Sequence, residues 1–200
     1  MQRQTPPTSP EESRDTPIEF VSPGKFSIHN PSVVNRPERI RPAPPLFLHG
    51  REEVHQHSLQ LIRQARHTVH IYSPDFEPWL YDSDRMVAAC KDFLLRHANN
   101  RLQILLHDSQ RLLSESHRLL ALIERLSSRA QIRLTHPQQE TFPDCWLSID
   151  GHGLLLRKTS APHQGQLLCG QPAKARSYFE QFAAMWDLSR IDINLRRMPL

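Results

Sequence analysis

The stretch FPDCWLSIDGHGLLLRK, residues 142–158, predicts a β-hairpin late in the chain. In its first half Cys145, Leu147 and Ile149 alternate along one face of a strand. A second apolar run, GLLLRK, follows after an Asp-Gly pair, and that pair favours a tight turn. We therefore expect two antiparallel strands joined at Asp150.

Helical and strand patterns alternate before this hairpin. A helical pattern in residues 50–67 precedes the β-branched run TVHIYS, and the loop PDFEPWLYD leads to a second amphipathic helix around residues 86–97. The apolar strand RLQILLHD, one long leucine-rich helix over residues 109–128 and the strand AQIRLTH come next. After the hairpin, QLLCG is a further strand candidate and residues 173–189 form the last helix. The fold class that we predict is a single α/β domain, with a mixed sheet and helices on both faces.

The composition of the chain is uneven along its length. Residues 1–45 are crowded with Pro, Ser, Thr and mixed charge, which predicts a disordered or extended leader before a domain in residues 46–200. No apolar run is long enough for a membrane span, so we expect no membrane association and a cytoplasmic location. Cys90, Cys145 and Cys169 are widely spaced, which favours buried thiols rather than a disulfide framework or a zinc site.

Two segments carry a resemblance to a known superfamily. LIRQARHTVHIYSPDF, residues 61–76, and a late strand that ends in IDG resemble one lobe of the phospholipase D-like superfamily over residues 46–190. That resemblance implies a phosphodiesterase with an HxKxxxxD motif, in which the His attacks phosphorus and the Lys holds its oxygens. With Asp150 at the Asp position, Pro143 replaces the His and Cys145 replaces the Lys. Proline has no nucleophile and a neutral thiol is no cationic clamp, so the resemblance predicts the fold without the reaction.

A closer likeness lies in IYSPDFEPWLYD, HRLLALIERLSSRAQIR and FAAMWDLSRIDINLRR. These segments resemble an uncharacterised bacterial domain that is phospholipase D-like in fold and is sometimes attached to acetyltransferases of the GNAT class. Membership would make the degenerate motif a family trait. The resemblance implies no activity, and this chain contains neither an acyl-CoA loop nor a Gly-rich phosphate loop.

Candidate binding residues follow the carboxyl ends of the parallel strands, where ligands gather in open α/β sheets. Charge-assisted hydrogen bonds from this rim suit a phosphate or another anion. The alternative is that these residues are helix caps and surface polar groups, with Asp108 or Ser109 as an N-cap and His117 as a satisfied histidine at the border of an apolar helix face. The predicted rim consists of Asp75, His107, Asp108, Ser109, His117, Arg118 and His136.

No metal site and no cofactor are predicted. His55 and His57 point in different directions on a helix, and His107 with His136 forms no HxH or HExxH pattern. The sequence permits nucleic-acid binding but gives it little support, because no aromatic residues interleave with the arginines of RIRP, residues 39–42, or of the C-terminal Arg190, Arg196 and Arg197.

The first functional hypothesis is a non-catalytic binding or accessory module for an anionic ligand or a protein partner. The alternatives are a phosphodiesterase or nuclease in which His107 or His136 replaces the motif His, and nucleic-acid binding without chemistry. By analogy with two-lobed members of the superfamily, a homodimer is also expected.

Overall fold

The computed structural model describes residues 44–114, 117–138, 142–192 and 195. The leader predicted for residues 1–45 lies almost wholly outside the described residues, as do RIRP, Arg196 and Arg197. The elements are β1 (Leu46–His49), α1 (Arg51–Gln64), β2 (Thr68–Ser73), α2 (Pro78–Tyr81), α3 (Asp84–Arg96), β3 (Arg101–Leu106), α4 (Gln110–Ser114), α5 (Arg118–Arg125), β4 (Ala130–Leu134), β5 (Asp144–Ile149), β6 (Gly153–Lys158), β7 (Ala161–Cys169) and α6 (Pro172–Leu188).

The seven strands form one mixed sheet in the order β1-β7-β6-β5-β2-β3-β4. β2, β3 and β4 are parallel, as the helices between them require, whereas every other pairing is antiparallel. The carboxyl ends of β2, β3 and β4 therefore lie at the same end of the sheet as the start of β5 and the last residues of β6. We call this the motif end, because it contains Cys145.

Helices cover both faces of the sheet, as predicted. On one face α1, α3 and α5 bury Val54, Phe93 and Ile123 against the sheet. On the other face α6 packs Phe182 and Trp186 into a separate core cluster. His70, on β2, faces α6 and stacks between Phe179 and Phe182, with ring centroids 4.6 and 4.2 Å away.

The hairpin of residues 142–158 forms as expected, and its turn has an unusual backbone. Asp150 and Gly151 both have positive φ angles, 50° and 68°, and the N–H of His152 bonds to the carbonyl of Ile149 at 3.0 Å. Consecutive left-handed residues match the twist of two antiparallel strands, which explains the Asp-Gly pair. Because Ile149 pairs with Gly153, the register places Cys145 directly opposite Arg157.

The leucine-rich segment 109–128 was predicted as one helix, and that prediction is wrong. It is divided into α4 and α5, and His117 precedes α5 with an extended backbone (φ −81°, ψ 118°). Its Nδ1 accepts the N–H of Leu119 at 3.3 Å, while Ser114 donates its hydroxyl to the carbonyl of Arg111. Both side chains compete with helical hydrogen bonds, but the leucine period continues because both helices face one core.

Three further predictions need correction. β1 was not predicted, because only Leu48 of its four residues is buried and the strand has no apolar period. The loop of residues 74–82 contains the single helical turn α2, whose Pro78 stands at a first-turn position that tolerates proline. β7 begins at Ala161, well before QLLCG.

The cysteines also differ from expectation at one position. Cys90 and Cys145 are buried, but Cys169 is exposed at the end of β7. Among the described residues no helix is both long enough and apolar enough to span a membrane.

Candidate functional site

The motif end of the sheet contains a buried ion pair that crosses from a loop to a strand. Arg157, at the end of β6, donates from both terminal nitrogens to the carboxylate of Glu77, which follows β2. A third bond, of 3.1 Å, reaches the carbonyl of Pro162. Burial opposes the charged guanidinium, but the hydrogen bonds and charge of Glu77 outweigh it, so the pKa of Arg157 is raised. Arg157 therefore remains charged, and its two terminal nitrogens are both engaged by the carboxylate of Glu77.

Cys145 lies opposite Arg157, at the position that corresponds to the motif Lys. Its thiol is buried and lies 3.7 Å from the hydroxyl of Thr159, which donates to the carbonyl of Pro143 at 3.0 Å. Burial raises the pKa of the Cys145 thiol to about 11. The thiol is therefore neutral at ordinary pH and is not an activated nucleophile.

A cavity of about 290 Å³ opens beside this pair. Arg111 and Asp75 form an ion pair of 2.7 Å at its wall, and both side chains are partly exposed. Trp79 also lines the cavity, with the guanidinium of Arg51 5.5 Å from its ring centroid. We call this space the motif-end cavity; its lining residues are Pro74, Asp75, Glu77, Trp79, Arg111, Cys145, Thr159, Pro162 and His163.

Four predicted rim residues follow β2 and β3, and the structure brings their backbones together. The N–H groups of His107 and Asp108 both donate to the carbonyl of Pro74, which precedes Asp75. Asp108 accepts the N–H of Gln110 at 2.9 Å at the start of α4, so it acts as a cap. Ser109 is buried and donates to Asp192. Asp75 is the member of the predicted rim that lines the motif-end cavity.

His136 follows β4, which is parallel to β3 as the prediction required. Its Nδ1 accepts the N–H of Gln138 at 3.3 Å. The neighbouring Thr135 contacts the ring of His107, also at 3.3 Å. The ends of β3 and β4 are therefore adjacent, and the rings of His107 and His136 each make a local polar contact.

His117 and Arg118 lie apart from the other rim residues, near the start of α3. The N–H of Arg118 donates to Asp82 at 2.8 Å, and its guanidinium pairs with the exposed Asp84 at 2.7 Å. His117 is buried, and its ring packs on Phe76 with centroids 4.6 Å apart. These contacts attach α5 to the loops around α2.

Asp150 lies at the opposite end of the sheet from Cys145. Its carboxylate accepts the N–H groups of Arg66, His67 and Thr68 at 2.7–2.8 Å, where α1 leads into β2. Partial burial opposes ionisation, but these three donors lower the pKa of Asp150. Asp150, which the resemblance aligns with the Asp of the motif, therefore organises a backbone turn in this structure.

The most buried charged residues of this site, Glu77 and Arg157, were missed from the sequence. The available signal was a lone arginine in the apolar run GLLLRK, in register with Cys145 when counted from the Asp-Gly turn. Glu77 had no such signal, since it lies in a loop that is hydrophilic at several positions. Among the described residues, no group of three or more His, Cys, Asp or Glu side chains is arranged to hold a metal ion.

Comparison with known proteins identifies the family and the fold. The family model described as "Domain of unknown function (DUF7931)" matches residues 50–198. A search of curated proteins finds no significant match. Among solved structures, phosphatidylserine synthase from Haemophilus influenzae Rd KW20 is similar with a TM-score of 0.53, 18% identity and coverage of 78% of this chain and 41% of that chain.

Two other structures illustrate the range of similar proteins. TrmBL2, an archaeal chromatin protein, has a TM-score of 0.53 at 11% identity, over 81% of this chain and 58% of its own. Nuc from Salmonella typhimurium, a phospholipase D family member, has a TM-score of 0.47 at 17% identity, over 74% of this chain and 97% of its own.

These likenesses concern the fold alone. The chain spans 58% of TrmBL2 and 41% of the synthase. The mixed seven-stranded sheet with helices on both faces is the α/β architecture that the sequence predicted, and it is similar in fold to TrmBL2 and to the synthase. The bacterial origin and the association with acetyltransferases stay predictions. The chain belongs to the DUF7931 family of domains of unknown function.

Proposed function

We propose that this domain is a non-catalytic, phospholipase D-like module that binds a phosphate-bearing ligand, or an anionic group of a protein partner, at the motif-end cavity. A cytoplasmic location and a homodimer stay predictions from the sequence. The proposal rests on one combination: cationic side chains and a strand without the catalytic groups of the motif lie at the same cavity.

The inert half of this combination rests on three positions. Pro143 has no nucleophile, and the raised pKa of Cys145 keeps its thiol neutral. Arg157 has the charge of the missing Lys, but Glu77 and the carbonyl of Pro162 already take its hydrogen bonds. These three positions therefore supply neither the attacking group nor the unengaged cation that the motif His and Lys would provide.

The binding half rests on the guanidinium groups around the cavity. Arg51, Arg111 and Arg157 outnumber the carboxylates of Asp75 and Glu77 by one. Arg111 is the best placed of the three, because its side chain is 47% exposed and its partner Asp75 is also accessible. An exposed pair of this kind is worth at most about 1 kcal/mol, so an incoming phosphate can displace Asp75 at little cost.

Arg111→Gln is the variant that tests the proposal, and Arg118→Gln is its matched control. Both arginines are exposed and each pairs with an aspartate at 2.7 Å, but Arg118 lies away from the cavity. Melting temperature would be measured at constant ionic strength as chloride is replaced by inorganic phosphate. At about five times its Kd, phosphate adds about 1 kcal/mol of stability, which raises the Tm of a domain of this size by about 2–4 °C.

The proposal predicts this rise in the wild type and in Arg118→Gln, and its loss in Arg111→Gln. An equal rise in both variants would place phosphate elsewhere on the molecule. No rise in the wild type, with phosphate or with phosphoserine, would contradict an anion site at the cavity.

Nucleic-acid binding without chemistry is a second candidate function. TrmBL2 is described as showing a novel mode of DNA binding, and this chain is similar to it in fold. The observation in this chain that favours it is a set of arginines at the end of the sheet opposite the motif-end cavity.

A further inference from the structure

Arginines gather where the three parallel strands begin. Arg66 lies two residues before β2, Arg101 is the first residue of β3, and Arg129 immediately precedes β4. Thr68 is the partner of Arg101 in the parallel register, and the N–H of Arg101 bonds to the carbonyl of His67 at 2.9 Å. The parallel register therefore places the backbones of Arg101 and Arg129 next to each other, and Arg66 lies at the same end of the sheet, two residues before β2.

Two helices end at the same place and add to this charge. Arg96, the last residue of α3, donates to the carbonyls of Ala65 and Arg63 at 2.9 and 3.3 Å. Arg129 donates to the carbonyl of Leu94 at 3.1 Å. We call the resulting contiguous set the basic end of the sheet; it consists of Arg63, Arg66, His67, Arg96, Arg101 and Arg129.

The charge of the basic end is not balanced by carboxylates. Within the part of the chain that the structure describes, none of its arginines has a carboxylate within ion-pair distance, whereas Arg111, Arg118, Arg157 and Arg176 each have one. Asp150 lies at this end, but its oxygens accept three backbone N–H groups. The guanidinium groups of Arg96, Arg101 and Arg129 donate to helix or loop carbonyls, so their positive charge is offset in part.

Arg63 and Arg66 differ from Arg96, Arg101 and Arg129 in the contacts of their side chains. Both are exposed, and among the described residues neither side chain makes a hydrogen bond or an ion pair. Their guanidinium groups are therefore available to a ligand, and their replacement removes no contact that holds the fold together.

We propose that the basic end binds the phosphate backbone of duplex nucleic acid, without reading its sequence. Several arginines at one end of the sheet suit a polyanion, which presents many phosphates along its length, better than they suit a single phosphate. Trp146, Phe182 and Trp186 are buried in the core, so a stacking platform for single strands is not built from them. This inference deepens the second candidate function and is independent of the motif-end cavity.

The test is fluorescence anisotropy of a labelled 20-base-pair duplex of random sequence with the full chain, across a series of potassium chloride concentrations. The basic-end variant is R63Q/R66Q. The control is R85Q/R176Q, which removes the same charge from exposed residues in the first turn of α3 and on α6. Circular dichroism melts of both variants check that the fold is intact.

We expect the wild type to bind with log K falling steeply as log salt rises. The slope should become shallower by about 2 in R63Q/R66Q, since each lost phosphate contact removes about 0.9, and should stay nearly unchanged in the control. Equal weakening in both variants would overturn the basic end as the site while leaving nucleic-acid binding in place. Absence of duplex binding in the wild type would overturn both, and binding to vesicles of phosphatidylserine and phosphatidylcholine alone would identify a membrane surface instead.

Discussion

Asp150 is the residue of the apparent motif that the chain retains, and its surroundings give it a structural role. Its carboxylate gathers the N–H groups of Arg66, His67 and Thr68. Because those donors lower the pKa of Asp150 in the folded state, its stabilisation is present above the ordinary carboxyl pKa and is lost as pH falls through the lowered value.

Asp150→Ala should therefore cost about 1–2 kcal/mol of unfolding free energy at pH 7, and less near pH 2. Asp150→Asn should cost less than Ala, because asparagine keeps one acceptor oxygen and tolerates the positive φ of 50°. Urea unfolding at the two pH values measures both variants. A cost that does not change with pH would show that the ionised carboxylate is not what stabilises the turn.

The Glu77–Arg157 pair predicts a large effect from a conservative change. Glu77→Gln leaves Arg157 buried with its charge uncompensated, which should cost about 3–5 kcal/mol. The double variant E77L/R157M removes both charges and should recover most of that loss.

Denaturant unfolding measures the stability of these variants, with Asp75→Asn as the control. That change breaks the partly exposed Asp75–Arg111 pair and should cost at most about 1 kcal/mol. Similar costs for Glu77→Gln and Asp75→Asn would contradict a buried, desolvated pair at the motif end.

At the scale of single residues, the periodic pattern along one strand was predicted from the sequence. Contacts between residues far apart in the sequence were not. Leu147 and Ile149 share one core cluster, as alternation along the strand predicted, while the neighbouring Trp146 lies in the other. Glu77 and Arg157 are eighty positions apart, and only the sheet order brings them together. No local pattern contains that information.

At the scale of elements, the packing of α6 on β2 predicts a pH response. His70 is buried between two phenylalanine rings of α6, and burial lowers its pKa to about 4, against the opposing effect of a hydrogen bond with the side chain of Gln103. In the unfolded chain a histidine titrates near about 6.5, so the unfolded state binds the proton first as pH falls. The domain should therefore lose stability between about pH 7 and pH 4.

His70→Leu should remove this part of the pH dependence, which amounts to about 3 kcal/mol. His97→Gln, at the exposed end of α3, is the control and should keep the wild-type profile. Unfolding free energy measured by urea at several pH values between 4.5 and 7.5 decides the matter. Identical slopes for the wild type and His70→Leu would show that His70 is not the group responsible.

Elements with a strong period were predicted well, and boundaries set by side-chain hydrogen bonds were not. β2 and β6 have the predicted bounds, because β2 is a β-branched, alternating run and β6 is an apolar run after the Asp-Gly turn. The division between α4 and α5 was not predicted, because the leucine period continues through it. The hydrogen bond from the N–H of Leu119 to His117 interrupts the helix there. β1 was not predicted because three of its four residues are exposed. Its existence depends on pairing with β7.

For the molecule as a whole, the order of helices and strands was enough to predict a mixed sheet with helices on both faces. The candidate rim was predicted from the rule that ligands gather at the carboxyl ends of parallel strands, and Asp75 does line the motif-end cavity. Arg118 was predicted for the same rim, but the structure separates it from that cavity because α5 begins a new helix beside Asp82 and Asp84. The two ends of the sheet thus differ in chemistry: ion pairs at one, uncompensated arginines at the other.

The absence of phosphodiester chemistry is the central claim, and hydrolysis of bis(p-nitrophenyl) phosphate tests it most directly. The wild type, His107→Ala and His136→Ala would be assayed side by side over pH 5–9, with and without added divalent cations. We expect no turnover above the buffer rate in any of the three proteins. Turnover in the wild type that is lost in either histidine variant would contradict the claim and make this domain a phosphodiesterase with a relocated histidine.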